Sequence, residues 1–102
     1  MASRLELQEL LEDILGKSTD VWFQPPPSVE LNYPAILYHL ADIYTEKADN
    51  INYRKKKRYV VTLIHRDPDN TIVDNMIEKG FAFDRFYAKE GLNHYVFMIY
   101  FW

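Results

Sequence analysis

One cluster of side chains in this sequence has the residue types of an acid–base site. His65-Arg66-Asp67-Pro68-Asp69 places an imidazole beside two carboxylates, which could exchange protons in a small hydrolase. The same residues fall between a predicted strand and a predicted helix, where Asp and Pro are needed to form the turn. Catalysis also needs a positioned nucleophile and an oxyanion stabiliser, and no second cluster supplies them. We therefore predict that the chain has no catalytic residues.

The sequence also lacks the usual patterns for binding a metal or a phosphate. His39, His65 and His94 are the only histidines, and none has the helical i, i+4 spacing of a metal pair. There is no cysteine, which excludes a disulfide framework and a thiolate zinc site. The three glycines are scattered, so a Gly-rich phosphate loop is excluded. We predict no metal site and no cofactor.

The strongest charged feature is the run Tyr53-Arg54-Lys55-Lys56-Lys57-Arg58-Tyr59. It could bind nucleic acid, with its cations on phosphates and Tyr53 and Tyr59 stacked on bases. It could instead be the solvated return arm of a hairpin, where lysines discourage unwanted strand pairing. A third interpretation is contact with acidic residues of a neighbouring copy. The candidates are Glu46 and Asp49 on the same hairpin, or Glu9, Glu12 and Asp13 near the N-terminus.

Composition limits the class of protein. A length of 102 residues allows one domain, residues 1–102, and 48% apolar with 26% charged residues is ordinary globular usage. A domain this small cannot bury all of its aromatic residues, which make up 16%, so we expect some to contact a partner. The net charge of −3 argues against a dedicated nucleic-acid binder. Residues 1–50 carry three basic and nine acidic side chains and residues 51–102 nine and six, which suits head-to-tail self-association.

No targeting or membrane segment is expected. There is no run of 18 apolar residues, so we predict no membrane span. Met1–Gly16 is amphipathic with four acidic residues, unlike a signal peptide. We expect an intracellular protein, or part of an assembly built inside a cell.

Hydrophobic spacing predicts the elements that position these side chains. Leucines at three- and four-residue spacing predict a helix over 4–15, ended by Gly16, and Ile72 to Ile77 marks a second, ended by Gly80. Strands are predicted over 21–24, 35–45, 59–66, 81–87 and 94–102, with 46–58 as a long polar hairpin connection. This order, α-β-β-β-α-β-β, predicts an α+β fold with a mostly antiparallel sheet and both helices on one face. We expect the aromatic residues of the other face to meet a subunit neighbour.

Several strings of the sequence resemble one family over nearly the whole chain. They are RLELQELLEDILG, VWFQPPPSVELNYPAILY, YTEKADNINYRKKKRYVVTLIHRDPD, TIVDNMIEKGF and FDRFYAKEGLNHYVFMIYF. In layout and local pattern they are similar to the tail terminator proteins of long-tailed bacteriophages and prophages, although the chain is shorter than the lambda-type members. The matching motifs are architectural and none of them is catalytic.

The resemblance implies a non-enzymatic structural protein of the virion, located in the tail neck and assembled in the bacterial cytoplasm. Such proteins form a ring, usually a hexamer, on the last ring of the tail tube protein. The ring stops tube polymerisation and joins the tail to the head-completion or connector protein, and DNA passes through its lumen without sequence recognition. The near alternative is a head-completion or stopper protein of the same neck region. The distant ones are the nucleic-acid-binding module using Arg54–Arg58 and the small hydrolase using His65, Asp67 and Asp69.

A closed ring needs a heterologous interface, in which two different surfaces of the subunit meet. We expect the hairpin 46–58 and the aromatic sheet face to build it, since Tyr and Arg are the residue types that dominate interface energy. The predicted interface residues are Trp22, Pro25, Pro26, Pro27, Tyr44, Tyr53, Arg54, Lys55, Lys56, Lys57, Arg58 and Tyr59.

Overall fold

The computed structural model describes residues 4–17, 19–25, 31–48 and 51–101, with side chains for all of these except 44–48, 51–55 and 101. Within this part the chain forms two helices and one five-stranded sheet. In chain order the elements are α1 (Arg4–Leu15), β1 (Val21–Phe23), β2 (Ala35–Ala48), β3 (Ile51–His65), α2 (Ile72–Glu78), β4 (Ala82–Lys89) and β5 (Leu92–Phe101). The predicted α+β class is confirmed, and the elements follow one another in the predicted order.

Helix α1 forms because its apolar residues recur every three or four positions and share one face. Leu7, Leu11 and Ile14 on that face are buried. The helix ends at Gly16, which has a φ of +84° that side chains other than glycine rarely adopt. The N–H groups of Gly16 and Lys17 both donate to the Glu12 carbonyl, at 2.9 and 3.2 Å. The span predicted from the sequence, 4–15, is confirmed.

The strands lie in the order β1-β2-β3-β5-β4. β1 pairs parallel with β2, while β2–β3, β3–β5 and β5–β4 are antiparallel, so the sheet is mixed but mostly antiparallel. The last strand, β5, lies between β3 and β4. β1 and β4 form the two edges of the sheet. The turn between β4 and β5 is Glu90-Gly91, with φ of 53° and 77°, the left-handed conformation that a two-residue hairpin turn requires.

The central hairpin is longer than the sequence predicted. We expected strands to stop at Thr45 and resume at Tyr59, but the ladder between β2 and β3 continues through Tyr44↔Lys56 to Ala48↔Ile51. Strand pairing uses backbone N–H and C=O groups, which every residue here carries, so a charged segment forms a ladder when both faces can stay in water. The residues between the two strands, 49–50, lie outside the described part of the chain.

The core lies between the two helices and one face of the sheet, which we name the helix face. It is formed by Leu7, Leu11, Ile14 and Leu15 of α1, Met76 of α2, Phe81, and the sheet residues Val21, Ile36, Tyr38, Tyr59, Val61, Leu63, Tyr95 and Phe97. The predicted placement of both helices on one side of the sheet agrees with this cluster. The opposite side, which we name the open face, has no helix over it in the described part of the chain.

A hydroxyl network anchors α1 to the middle of the sheet. The Tyr38 ring is 1% exposed. Its hydroxyl donates to Gln8 Oε1 at 2.5 Å and accepts from Arg4 Nη1 at 3.2 Å. Arg4 also lies over the Phe23 ring, 4.7 Å from its centroid. Burial raises the pKa of Tyr38 above its ordinary value of 10.0, so the phenol stays protonated and can keep donating.

Candidate subunit interface

The molecule is elongated because one end of the central hairpin projects from the sheet. It measures 52 × 27 × 23 Å, with a radius of gyration of 14.8 Å; a compact chain of this length has about 13 Å. The ladder between β3 and β5 ends at Lys57↔Phe101, and β1 pairs only with Ile36–Tyr38. Residues 44–48 and 51–56, which we name the arm, therefore pair only with each other among the described strands.

The arm is a two-stranded ladder that no third strand joins among the described residues. At about 3.3 Å per residue, its five residues on β2 extend roughly 17 Å. An isolated two-stranded hairpin is at best marginally stable in water, because it has no sheet or helix to bury one of its faces. The arm also carries Arg54, Lys55 and Lys56 of the basic run. Its geometry thus suits docking on an acidic surface.

The base of the arm is tied to its own sheet. Arg58 Nη2 lies 2.8 Å from Asp42 Oδ2, and Arg58 Nη1 lies 3.9 Å from Met98 Sδ. The Asp42 side chain is 53% exposed, so water screens this pair and its contribution to stability is small. Arg58 therefore acts mainly within the chain, while the next cation, Lys57, is exposed.

The other predicted interface residues fall into different environments. The rings of Phe23 and Tyr38 surround Tyr59, at centroid distances of 6.5 and 6.1 Å, and Tyr59 is 3% exposed. Tyr59 packs in the core of this chain, so its ring is not available to a partner. Trp22 and Pro25 are half-buried at the β1 edge of the sheet. Pro26, Pro27 and the side chains of Tyr44, Tyr53, Arg54 and Lys55 lie outside the described part of the structure.

A surface of opposite sign to the arm lies on the exposed side of α1. Glu9 and Asp13 are four residues apart and point to solvent, with Glu12 half-buried beside them. No basic residue occupies the last turn of this helix. The arm and this acidic face thus give the subunit two different surfaces of opposite charge, as a heterologous contact requires.

The acid–base cluster predicted at 65–69 forms a turn. The Asp67 N–H donates to His65 Nδ1 at 2.9 Å, and the Asp69 N–H donates to Asp67 Oδ1 at 2.9 Å. Tyr95 donates its hydroxyl to the Pro68 carbonyl at 3.0 Å, and burial raises the pKa of this phenol above 10.0. The polar atoms of the cluster hold the chain between β3 and α2. These contacts are the turn-forming role that the sequence offered for Asp67 and Pro68.

A shallow groove of about 480 Å³ crosses the open face. Leu37, His39 and Thr62 form its floor, and Tyr87 stacks on His94 at one end with ring centroids 4.6 Å apart. None of the residues that line it in the described structure is a carboxylate, a lysine or an arginine. The described residues also contain no group of three His, Asp or Glu side chains able to hold a metal ion. Aromatic, aliphatic and polar side chains line the groove, together with the imidazoles of His39 and His94.

The edge strand β4 is the surface feature that the sequence did not reveal. All of its residues are exposed, including Phe83 and Phe86 at 51% and 49%. The sequence indicates a strand between Gly80 and Gly91 but not how many neighbours it has. Only the sheet order shows that β4 has one neighbour within the part of the chain that the structure describes.

No model of a known protein family matches the chain, and no curated protein sequence matches it. None of the described helices is long and apolar enough to cross a membrane. The likeness to tail terminators therefore rests on the quoted residue strings alone, and it enters below as a proposal.

Proposed function

We propose that this chain is a non-enzymatic structural protein of a phage tail neck. Copies of it form a ring, of six subunits by the family likeness, that caps the tail tube and stops its polymerisation. The ring then joins the tube to the head connector, and DNA passes through its centre without sequence recognition. The observation that carries this proposal is the arm, because a projecting two-stranded hairpin of marginal stability is an element built for assembly.

Charge supports a head-to-tail contact between copies. The basic arm of one copy would lie on the α1 surface of the next, near its exposed Glu9 and Asp13. Because the two surfaces differ, each copy leaves one of each available, and repetition closes a ring when the rotation between copies is right. Opposite charges fix the register of such contacts and speed their formation more than they raise affinity. Ring assembly should therefore weaken as the salt concentration rises.

The acid–base cluster and the basic run both favour this role over their alternatives. His65 Nδ1 and the Asp67 carboxylate both accept backbone N–H groups of the turn, which disfavours a small hydrolase. Base stacking by Tyr59 is blocked because its ring is 3% exposed. Arg58, the last cation of the run, is held by Asp42 at 2.8 Å. Two of the groups that a nucleic-acid module would need are therefore occupied within the chain.

The arm proposal is tested by reversing the charge of two neighbouring lysines at the base of the arm. Lys56→Glu with Lys57→Glu leaves the Arg58–Asp42 pair intact, whereas Arg58→Glu would place two acids opposite each other. We expect the wild-type chain at low salt to form rings in negative-stain electron micrographs, with a mass near six times 12.2 kDa. The double variant should fold and give no rings.

A matched control changes the same amount of charge elsewhere. Lys79→Glu with Lys89→Glu reverses two exposed lysines away from the arm and should leave the rings intact. Rings that persist in the arm variant, or rings lost equally in the control, would remove the arm from the mechanism. Tight binding of the wild-type chain to a short oligonucleotide, falling steeply with salt, would instead favour the nucleic-acid module.

A further inference from the structure

The two edges of the sheet differ in how open they are. β1 is three residues long, and the Val21 carbonyl accepts a hydrogen bond from Gln8 Nε2 at 3.0 Å. β4 has eight residues, all exposed, and among the described strands it pairs with β5 alone. A long exposed edge strand presents a row of unpaired backbone groups to another strand. β4 is therefore the edge through which the sheet can be extended.

Half of each β4 phenylalanine ring is left without a contact. Phe83 packs on Phe97 with centroids 5.6 Å apart, and Phe86 packs on Tyr95 at 5.0 Å. Their outer halves remain exposed. Rings of this size bury about 150–250 Å² each when fully covered, so the two exposed halves together offer about 150–250 Å² of apolar surface to a partner.

A bulge sets the direction of the β4 side chains. The ladder with β5 shifts between Phe83 and Arg85, where Asp84 is the extra residue. Phe83 and Phe86 thus both point to the helix face although they are three positions apart. Arg85 Nη1 lies 3.6 Å from Asp84 Oδ2, so these two charges lie side by side between the phenylalanines.

We propose that β4 pairs antiparallel with β4 of a second copy, about a two-fold axis between Asp84 and Arg85. This register sets Asp84 opposite Arg85 of the second copy, Phe83 opposite Phe86, and Ala82 opposite Tyr87. Each of the three pairs then occurs twice, as a two-fold axis requires. It joins the two sheets into one of ten strands, because each copy contributes five.

Charge and shape select this register. Moving the axis by half a residue puts Asp84 opposite itself or Arg85 opposite itself, and like charges directly opposite are unfavourable. The same move sets side chains of the helix face against those of the open face. The proposed register is the one that places opposite charges and aromatic rings together on matched faces. The β4 strand is therefore self-complementary.

Because the interface is small, we expect the dimer to be weak. A strand pair with four half-covered rings falls below the 1,200 Å² of stable complexes, so we expect a reversible dimer at micromolar or higher concentration. β4 is separate from the arm, and the dimer does not depend on the ring. It would pair two subunits, or two rings, back to back.

Cross-linking tests the register directly, because the chain has no cysteine of its own. Chains carrying Ala82→Cys mixed with chains carrying Tyr87→Cys should form a disulfide-linked dimer on mild oxidation. Opposite residues of an antiparallel pair have Cα atoms about 4.5–5.5 Å apart, within disulfide range. Either variant alone should remain uncross-linked, since identical positions would be five residues apart, about 17 Å. Absence of the mixed disulfide, or equal cross-linking of one variant alone, would overturn the register.

Charge exchange provides a second test that needs no oxidation. In the Lys56→Glu/Lys57→Glu background, which removes the arm contact, light scattering should give a mass approaching twice 12.2 kDa as concentration rises. Asp84→Arg alone and Arg85→Asp alone should each give monomers, and mixing the two should restore the dimer. Lys89→Asp, on the same strand outside the paired stretch, should leave it unchanged. A monomer at all concentrations, or single variants that dimerise normally, would contradict the proposal.

Discussion

The Tyr38 hydroxyl allows a measurement of how strongly α1 is anchored to the sheet. Tyr38→Phe removes the bonds to Gln8 Oε1 and Arg4 Nη1, at 2.5 and 3.2 Å, and keeps the buried ring. Arg4 retains its position over the Phe23 ring at 4.7 Å. Gln8 retains its bond to the Val21 carbonyl at 3.0 Å. The change thus isolates the hydroxyl from the packing around it.

The expected loss in the free energy of unfolding depends on which polar groups the substitution leaves without a partner. A hydrogen bond contributes about 0.5–1.5 kcal/mol net, and more where the donor is charged. Gln8 and Arg4 are half-buried, so water replaces part of what is lost. We expect the free energy of unfolding to fall by about 1–2 kcal/mol. For a domain of this size that corresponds to a melting temperature lowered by roughly 5–15 °C.

Thermal unfolding followed by circular dichroism at pH 7 measures the effect, with urea titration as a second readout. Tyr59→Phe is the matched control, because Tyr59 is equally buried in the same aromatic cluster and no hydrogen bond of its hydroxyl occurs among the described residues. We expect its melting temperature to change by less than half as much. Equal shifts for the two variants, or no shift for Tyr38→Phe, would refute the anchoring role of the hydroxyl.

Three further predictions concern the fold. Leu11→Ala should lower the free energy of unfolding by about 2–5 kcal/mol in urea titrations, because Leu11 is fully buried; the same change at Leu5, which is 62% exposed, should alter it by under about 0.5 kcal/mol. Burial raises the pKa of Tyr38 above its ordinary value of 10.0. The protonated phenol therefore contributes stability that is complete below pH 10 and is lost as pH rises through the pKa of the folded state. Melting temperatures of the wild type should fall above pH 10, and those of Tyr38→Phe should fall less. Glu90→Asn should raise the melting temperature slightly, since Glu90 has a φ of 53° that Asn tolerates better; a lower value would contradict this description of the turn.

The helix and strand order could be predicted because the local signals agree with one another. The stripe of α1 repeats every three or four residues and ends on Gly16, whose φ of +84° requires that residue type. Likewise Gly80 and Gly91 mark a helix end and a hairpin turn, with φ of 95° and 77°. Turn chemistry and hydrophobic period each depend on a few neighbouring residues, so a single sequence contains them.

The direction in which side chains point was harder to predict. In Tyr59–Ile64 both alternate sets of residues are apolar, so the pattern cannot say which face meets the helices. The structure buries Tyr59 at 3%, although its place beside the basic run had suggested an interface. The alternation of residues along a strand identifies the buried face only where the other face is polar.

Strand pairing at the ends and edges of the sheet also could not be predicted from the sequence. The arm is a ladder of polar residues, and backbone pairing there leaves no hydrophobic pattern. The edge position of β4 depends on β5 inserting between it and β3, a fact of topology rather than of local composition. The sequence had already indicated residues 46–58 as an interface, but their strand pairing and the edge position of β4 became visible only in the folded chain.

Electron microscopy of particles that lack this protein tests directly whether it caps a phage tail. Particles assembled in the host after deletion of this reading frame would be viewed by negative-stain electron microscopy. If the ring caps the tube, these particles should include overlong tail tubes without heads, because nothing stops tube growth. Tails of normal length beside filled or leaking heads would move the protein to the head side of the joint, and intact virions would contradict the account.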